Sequence, residues 1–169
     1  MFNIGFDCNV VDITAKLKKL PLMSGSLAYL AGVAAMLVRM KGANLKVEFD
    51  DGYVFYGDML LIAIANGCFC GGGVKGVPKA ETNDGLMDVS LIRKCSRRKF
   101  IKLFPKYAKG EHLEAKGADK LITYKQGKKL KITANGKPMT FSTDGELTQA
   151  EKIKFEIVEN AIDFVVPKA

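Results

Sequence analysis

The chain has 169 residues, 48% of them hydrophobic and 26% charged, with a formal net charge of +8. Such a length and balance describe one folded domain, 1–169, and exclude a disordered chain. No apolar run reaches the roughly 18 residues of a spanning helix, and the positive excess suits nucleic acid, an anionic membrane or a phosphate-bearing ligand without choosing among them.

Residues 3–11 read as a strand, and 12–20 as a short helix closed by Pro21. Ser24 or Ser26 can cap the next helix, where Leu27, Leu30, Ala31, Ala34, Ala35 and Val38 recur at helical spacing and Gly42 gives the stop. The period then changes to two: Leu45, Val47 and Phe49 alternate with Lys46, Glu48 and Asp50. Asp51-Gly52 signals a hairpin turn into a second strand, 53–65, with a bend expected at Gly57. A glycine-rich loop covers 67–76, and the next strand 87–92. Ser96 caps a helix with Phe100, Leu103, Phe104 and Tyr107 on one face and Arg97, Arg98, Lys99, Lys102 and Lys106 on the other. After a connector at 110–118, strands are expected at 121–124, 129–134, 137–142, 152–157 and 162–166, with turns at Gln126-Gly127 and Asn135-Gly136. The sum is a mixed, mainly β chain: an antiparallel β-sandwich-like domain with two or three peripheral helices.

The four cysteines, at 8, 68, 70 and 95, form no C-x-x-C pair, so reduced thiols are expected and a structural zinc site is not. No charged-then-apolar leader with a small-residue cleavage site opens the chain, and a cytoplasmic address follows as the expectation. His112 is the sole histidine, with no cysteine or serine in triad-like order, and is read as structural or as a surface residue.

Two acidic glycine motifs carry chemistry. Asp84-Gly85-Leu86-Met87-Asp88 leads from the glycine loop into a strand, and Asp144-Gly145-Glu146 follows one. Both read as turns on composition alone. The first also suits magnesium, a hard cation that takes oxygen ligands and keeps several waters. The second suits a general base, since a positioned carboxylate accepts a proton from a weakly nucleophilic hydroxyl. Asn66, Gly71, Gly72 and Gly73 form either a tight loop or a backbone nest facing phosphate oxygens.

Taken together, Asn66-Gly67 through Gly71-Gly72-Gly73, then Pro78-Lys79-Ala80, then the two acidic motifs, resemble the C-terminal domain of the bacterial diacylglycerol kinase and sphingosine kinase-like lipid kinase family. That family's pattern runs N-G-x-x-x-G-G-G, P-x-A, D-G-x-x-D and D-G-E, and all four pieces stand here in order. The resemblance implies a β-sandwich-like domain, Mg²⁺ held at Glu81, Asp84 and the Leu86 carbonyl, and Glu146 as the proton acceptor. Asp88 is the weaker metal candidate, and Asp144 shapes the turn. It implies ATP as phosphoryl donor, held mainly by an N-terminal nucleotide-binding domain with a Gly-Gly-Asp-Gly-Thr loop. That loop is not in these residues, so the chain alone is expected to be inactive. The implied partners are that domain and a lipid at a membrane surface, diacylglycerol first and sphingoid bases or other lipid alcohols next. A homodimer and a peripheral position at the inner face of the membrane are compatible with this reading.

Two features stay open. The basic helix face is either solvated or a contact for anionic headgroups, and the apolar stripe 27–38 is either core or the wall of a lipid pocket. A non-catalytic basic β-module is the alternative class. It lacks an RNP-type aromatic platform or a helix-turn-helix signature, so no nucleic acid is expected.

Overall fold

The computed structural model describes residues 1–6, 8, 10, 13, 31, 32, 35, 40, 42–69, 73–163 and 165. Among these residues nine strands run in order: β1 (Phe2–Gly5), β2 (Ala43–Phe49), β3 (Val54–Ala65), β4 (Met87–Arg93), β5 (Ile122–Gly127), β6 (Lys129–Ala134), β7 (Met139–Thr143), β8 (Glu146–Ala150) and β9 (Lys152–Glu156). Helix α1 (Arg97–Lys109) lies between β4 and β5. Every strand pairing is antiparallel.

β3 is the spine. Its first half pairs with β2 and its second half with β1, while β4 occupies the other edge from Met59 to Ala65. Two wings diverge from it, β1–β7–β8 and β2–β6–β9. The side chains that meet between them form the main core: Ile4, Leu45, Val47, Phe55, Ile62, Ile64, Val89, Leu91 and Ile132, all nearly inaccessible. A second cluster lies on the opposite face of β3 and β4, where α1 packs Phe100, Leu103 and Tyr107 against Phe6, Leu61 and Ile92. The mainly β, sandwich-like class expected from sequence is what the molecule has.

Several local expectations need correction. The first strand stops at Gly5, and Phe6, Cys8, Val10 and Ile13 are helical. Gly5 has φ +94°, and a Cβ there would sit 2.3 Å from the Leu60 carbonyl oxygen, so the chain turns where only glycine fits. Ala31, Gly32 and Ala35 are helical as expected; the other stripe positions, and most of 12–20, lie outside the described residues. The 110–118 connector contains a 3₁₀ turn, His112–Glu114. The strand β8 was not foreseen. Ile162, Asp163 and Val165, expected in a last strand, carry no strand pairing.

Candidate functional site

The strands place the acidic motifs through register rather than through sequence proximity. Asp88 lies opposite Ala65 on β3 and opposite Gln126 on β5. In the adjoining row, Ile64 faces Phe2, Phe2 faces Thr143, and Thr143 faces Glu146. Asp144 follows Thr143 directly, and its N–H donates to the Met1 carbonyl (3.1 Å). The D-G-x-x-D and D-G-E segments therefore share one end of one sheet. Three strand spacings separate the Asp88 and Asp144 backbones, roughly 14 Å. Asn66, one residue beyond Ala65, stands between them.

Asp84 is exposed and shapes its own turn. Its Oδ1 accepts from the Leu86 N–H (2.9 Å), the Asx-turn bond that lets Gly85 take φ +70°. Its Oδ2 accepts from Gln126 Nε2 (3.3 Å). The same amide donates to Asp88 Oδ2 (3.2 Å), so Gln126 ties the two carboxylates of the motif together. Asp88 is wholly buried. Its Oδ1 accepts from the Tyr124 hydroxyl (2.5 Å), which in turn accepts from the Lys79 N–H (3.2 Å). Burial, then the Asp88 carboxylate, push the Tyr124 phenol well above its ordinary range, so it remains a donor. Asp88 thus faces β5 and anchors the segment 79–88.

Glu81 is exposed and Leu86 half-buried in the same loop. Among the described residues, no three His, Cys, Asp or Glu side chains converge as a metal cluster. The donors expected for magnesium are of the right kind nonetheless: carboxylate and backbone carbonyl oxygens, hard ligands for a cation that keeps much of its water.

Asn66 is exposed and spends its side-chain amide on the Thr82 carbonyl (3.2 Å), which pins the start of the glycine loop to the acidic segment. Gly73 is exposed, with φ +85° and nothing within 4 Å of a would-be Cβ, so its glycine serves conformation rather than close approach. Gly71 and Gly72 lie outside the described residues.

Asp144 and Gly145 both have positive φ, +48° and +97°, the pattern of a type I′ turn. The turn expected there is present, and Glu146 leaves it as the first residue of β8, directly across from Thr143, with its side chain exposed. Among the described residues no hydrogen bond or ion pair holds its carboxylate.

Sequence reading missed three neighbours of the site. Tyr124 and Gln126 enter through the β4–β5 register. Glu159 reaches the loop from the far end of the chain: a Cβ on Gly85 would lie 2.8 Å from its Cγ and Cδ, and its carboxylate pairs with Lys128. The strand expected at 121–124 held Tyr124 with no sign of its partner, and Gln126, expected in a turn with Gly127, lies in β5 instead. His112 is buried, stacked obliquely on Tyr107 at 5.0 Å between ring centroids. This agrees with a structural role.

Comparison with known proteins places this geometry in a family. Residues 1–166 match the family described as "YegS C-terminal NAD kinase beta sandwich-like domain". The chain is 29% identical over 157 residues to a Bacillus subtilis protein named diacylglycerol kinase, covering 93% of this chain and 49% of that protein. It is 30% identical over 164 residues to a Stenotrophomonas maltophilia protein named probable lipid kinase YegS-like, covering 96% and 50%. The chain therefore spans about half the length of these curated relatives. A solved structure of a diacylglycerol kinase from Bacillus anthracis superposes with TM-score 0.59 at 16% identity, covering 94% of this chain and 45% of the other, which shows a shared fold. By the match across nearly its whole length, the chain belongs to the YegS C-terminal, NAD kinase β-sandwich-like domain family, whose members among these relatives are named as diacylglycerol and lipid kinases.

Proposed function

We propose that this chain is the substrate, metal and base portion of an ATP-dependent lipid kinase that transfers the γ-phosphoryl group to a lipid hydroxyl, with diacylglycerol as the first-choice substrate. The observation that carries the reading is the register that brings Asp84, Asp88, Asn66 and Glu146 to one sheet end. Relatives named diacylglycerol kinase support the substrate class.

In this reading Glu146 accepts the proton of the lipid hydroxyl as the new P–O bond forms. Its exposure, and its freedom from partners among the described residues, leave the carboxylate available to a substrate. Asp144-Gly145 fix the direction in which it leaves the turn. The Asp84 carboxylate and the Leu86 carbonyl, with Glu81 at the edge of the loop, are the residues that would hold magnesium. Bound there, the cation supplies positive charge to an otherwise acidic loop beside the phosphates. Asn66 keeps the glycine loop against that segment, and the nucleotide is held mainly by a separate nucleotide-binding domain.

The test is Glu146→Gln in a protein that carries both domains. Phosphorylation of diacylglycerol should fall about 10²- to 10⁴-fold in kcat, with ATP and lipid binding little changed. A near wild-type kcat removes Glu146 from the mechanism. Robust turnover by the 169-residue chain alone would refute the need for a second domain.

A further inference from the structure

We propose that the outer face of α1 is a docking surface for an anionic phospholipid bilayer. The choice of a bilayer over other polyanions rests on the lipid-kinase reading.

The helix is amphipathic in an unusual way. Its buried side holds Phe100, Leu103 and Tyr107, whereas its exposed side carries Arg97, Arg98, Lys99, Lys102, Lys106 and Lys109 and no acid. Only Lys106 and Lys109, in the last turn, meet the helix dipole favourably. Three cations occupy the first turn, where the helix dipole disfavours positive charge. Arg98, Lys102 and Lys106 repeat at four-residue spacing, where like charges repel. Among the described residues, Arg98, Lys99, Lys102, Lys106 and Lys109 form no ion pair. The lysines of the β2–β6 face differ: Lys46 and Lys131 both pair with Glu48. An anionic surface outside the chain would compensate what the fold leaves unbalanced.

Two apolar side chains distinguish a bilayer from a nucleic acid. Ile101 is 52% exposed amid the cations. Phe69, in the loop after β3, is 64% exposed. Lys75 joins them: its ammonium lies 5.5 Å from the centre of the Phe69 ring, and its N–H donates to Ala108 near the end of α1 (3.0 Å). Ala108 is two helical turns beyond Ile101 and on the same flank, roughly 10 Å along the axis. Anchors of this kind enter the headgroup boundary while flanking cations meet lipid phosphates. The helix also ends against Lys75 and Pro78, just before the acidic loop, so a bilayer on this face lies beside the candidate site.

The test is co-sedimentation of the chain with phosphatidylcholine vesicles containing about one third phosphatidylglycerol, against phosphatidylcholine alone. Binding should require the anionic lipid and weaken with salt. Arg98→Gln/Lys102→Gln/Lys106→Gln should weaken it about 100-fold, near fivefold per cation, and leave the melting temperature unchanged or raised. If the triple variant melts lower, Lys102→Gln/Lys106→Gln should still show about 25-fold. Lys46→Gln/Lys131→Gln should bind as wild type. Undiminished vesicle binding by the helix variants, or binding of a single-stranded oligonucleotide in place of vesicles, overturns the proposal. Phosphorylation of a dispersed short-chain diacylglycerol by the two-domain protein reads the kinase proposal separately. Its absence with vesicle binding intact defeats that reading and leaves the docking face standing.

Discussion

Tyr124→Phe is a one-atom test of how the acidic segment is held. The hydroxyl donates to the buried Asp88 Oδ1 at 2.5 Å and accepts from the Lys79 N–H at 3.2 Å. Phenylalanine keeps the ring against Ala63, Ala65 and Val77, and Lys79 stays over its face at about the present 6.0 Å. The change is therefore almost purely a loss of two hydrogen bonds. A bond to a charged acceptor is worth about 1.5–3 kcal/mol and a neutral one about 0.5–1.5 kcal/mol. The buried carboxylate, left with Gln126 alone, puts the first at the upper end of its range. The expected cost is about 3.5–4.5 kcal/mol, or roughly 7–18 °C in melting temperature for a chain of this size. Urea unfolding followed by both far-ultraviolet circular dichroism and tyrosine-independent fluorescence labelling measures it. In an Asp88→Asn background the same substitution should cost less, because the two groups are coupled. A loss below about 0.5 kcal/mol would mean that Asp88 finds another donor and that Tyr124 does not anchor the segment.

Two further outcomes follow from the same structure. Burial lowers His112 from 6.5 to about 4 in the fold, so the native state stays unprotonated where the unfolded chain takes up a proton; its contribution is complete above pH 6.5 and is lost as pH falls toward 4, about 3 kcal/mol in all. His112→Leu should remove that part of the pH dependence in urea melts at pH 7 and 4.5, and an unchanged slope would refute the assignment. In the two-domain protein, Asp84→Asn should raise the magnesium requirement with partial rescue by excess metal, because the amide keeps the shape and loses the charge; an identical magnesium titration would make Asp84 a turn residue only.

The legible parts of the fold were those where one face is buried and the other wet. The alternation of 45–50 and the 3–4 spacing of Phe100, Leu103 and Tyr107 translate directly into β2 and α1. The same rule misled at 6–10: Phe6, Cys8 and Val10 alternate as in a strand and are all buried, yet they are helical, because Gly5 turns the chain off the β3 backbone. β8 was invisible because it is exposed along four of its five residues; its pairing comes from the Asp144-Gly145 turn and not from a hydrophobic pattern. At the site, the Asp-Gly motifs were visible as local chemistry, and their resemblance supplied the roles. Tyr124, Gln126 and Glu159 were not visible, since each reaches the loop across 36 or more positions by register or chain return.

That dependence on register explains how packing can specify the site. Val89 and Leu91 face the main core opposite Ile64 and Ile62, while Asp88 and Ser90 face the other side opposite Ala65 and Ala63. A one-residue slip of β4 would exchange the two faces, drive Asp88 into the apolar core and leave Val89 on the face where Asp88 now meets Tyr124. The penalty for burying an uncompensated carboxylate there enforces the observed pairing. The small alanines then leave space for Val77, which is fully buried against them. Val77 seats the segment that carries Lys79 to the Tyr124 hydroxyl. The alternation that stabilises β3 and β4 thereby fixes Asp88, Gln126 and the Asp84 turn at one end of the sheet, and the β1–β7–β8 pairings carry the adjoining row across to Glu146.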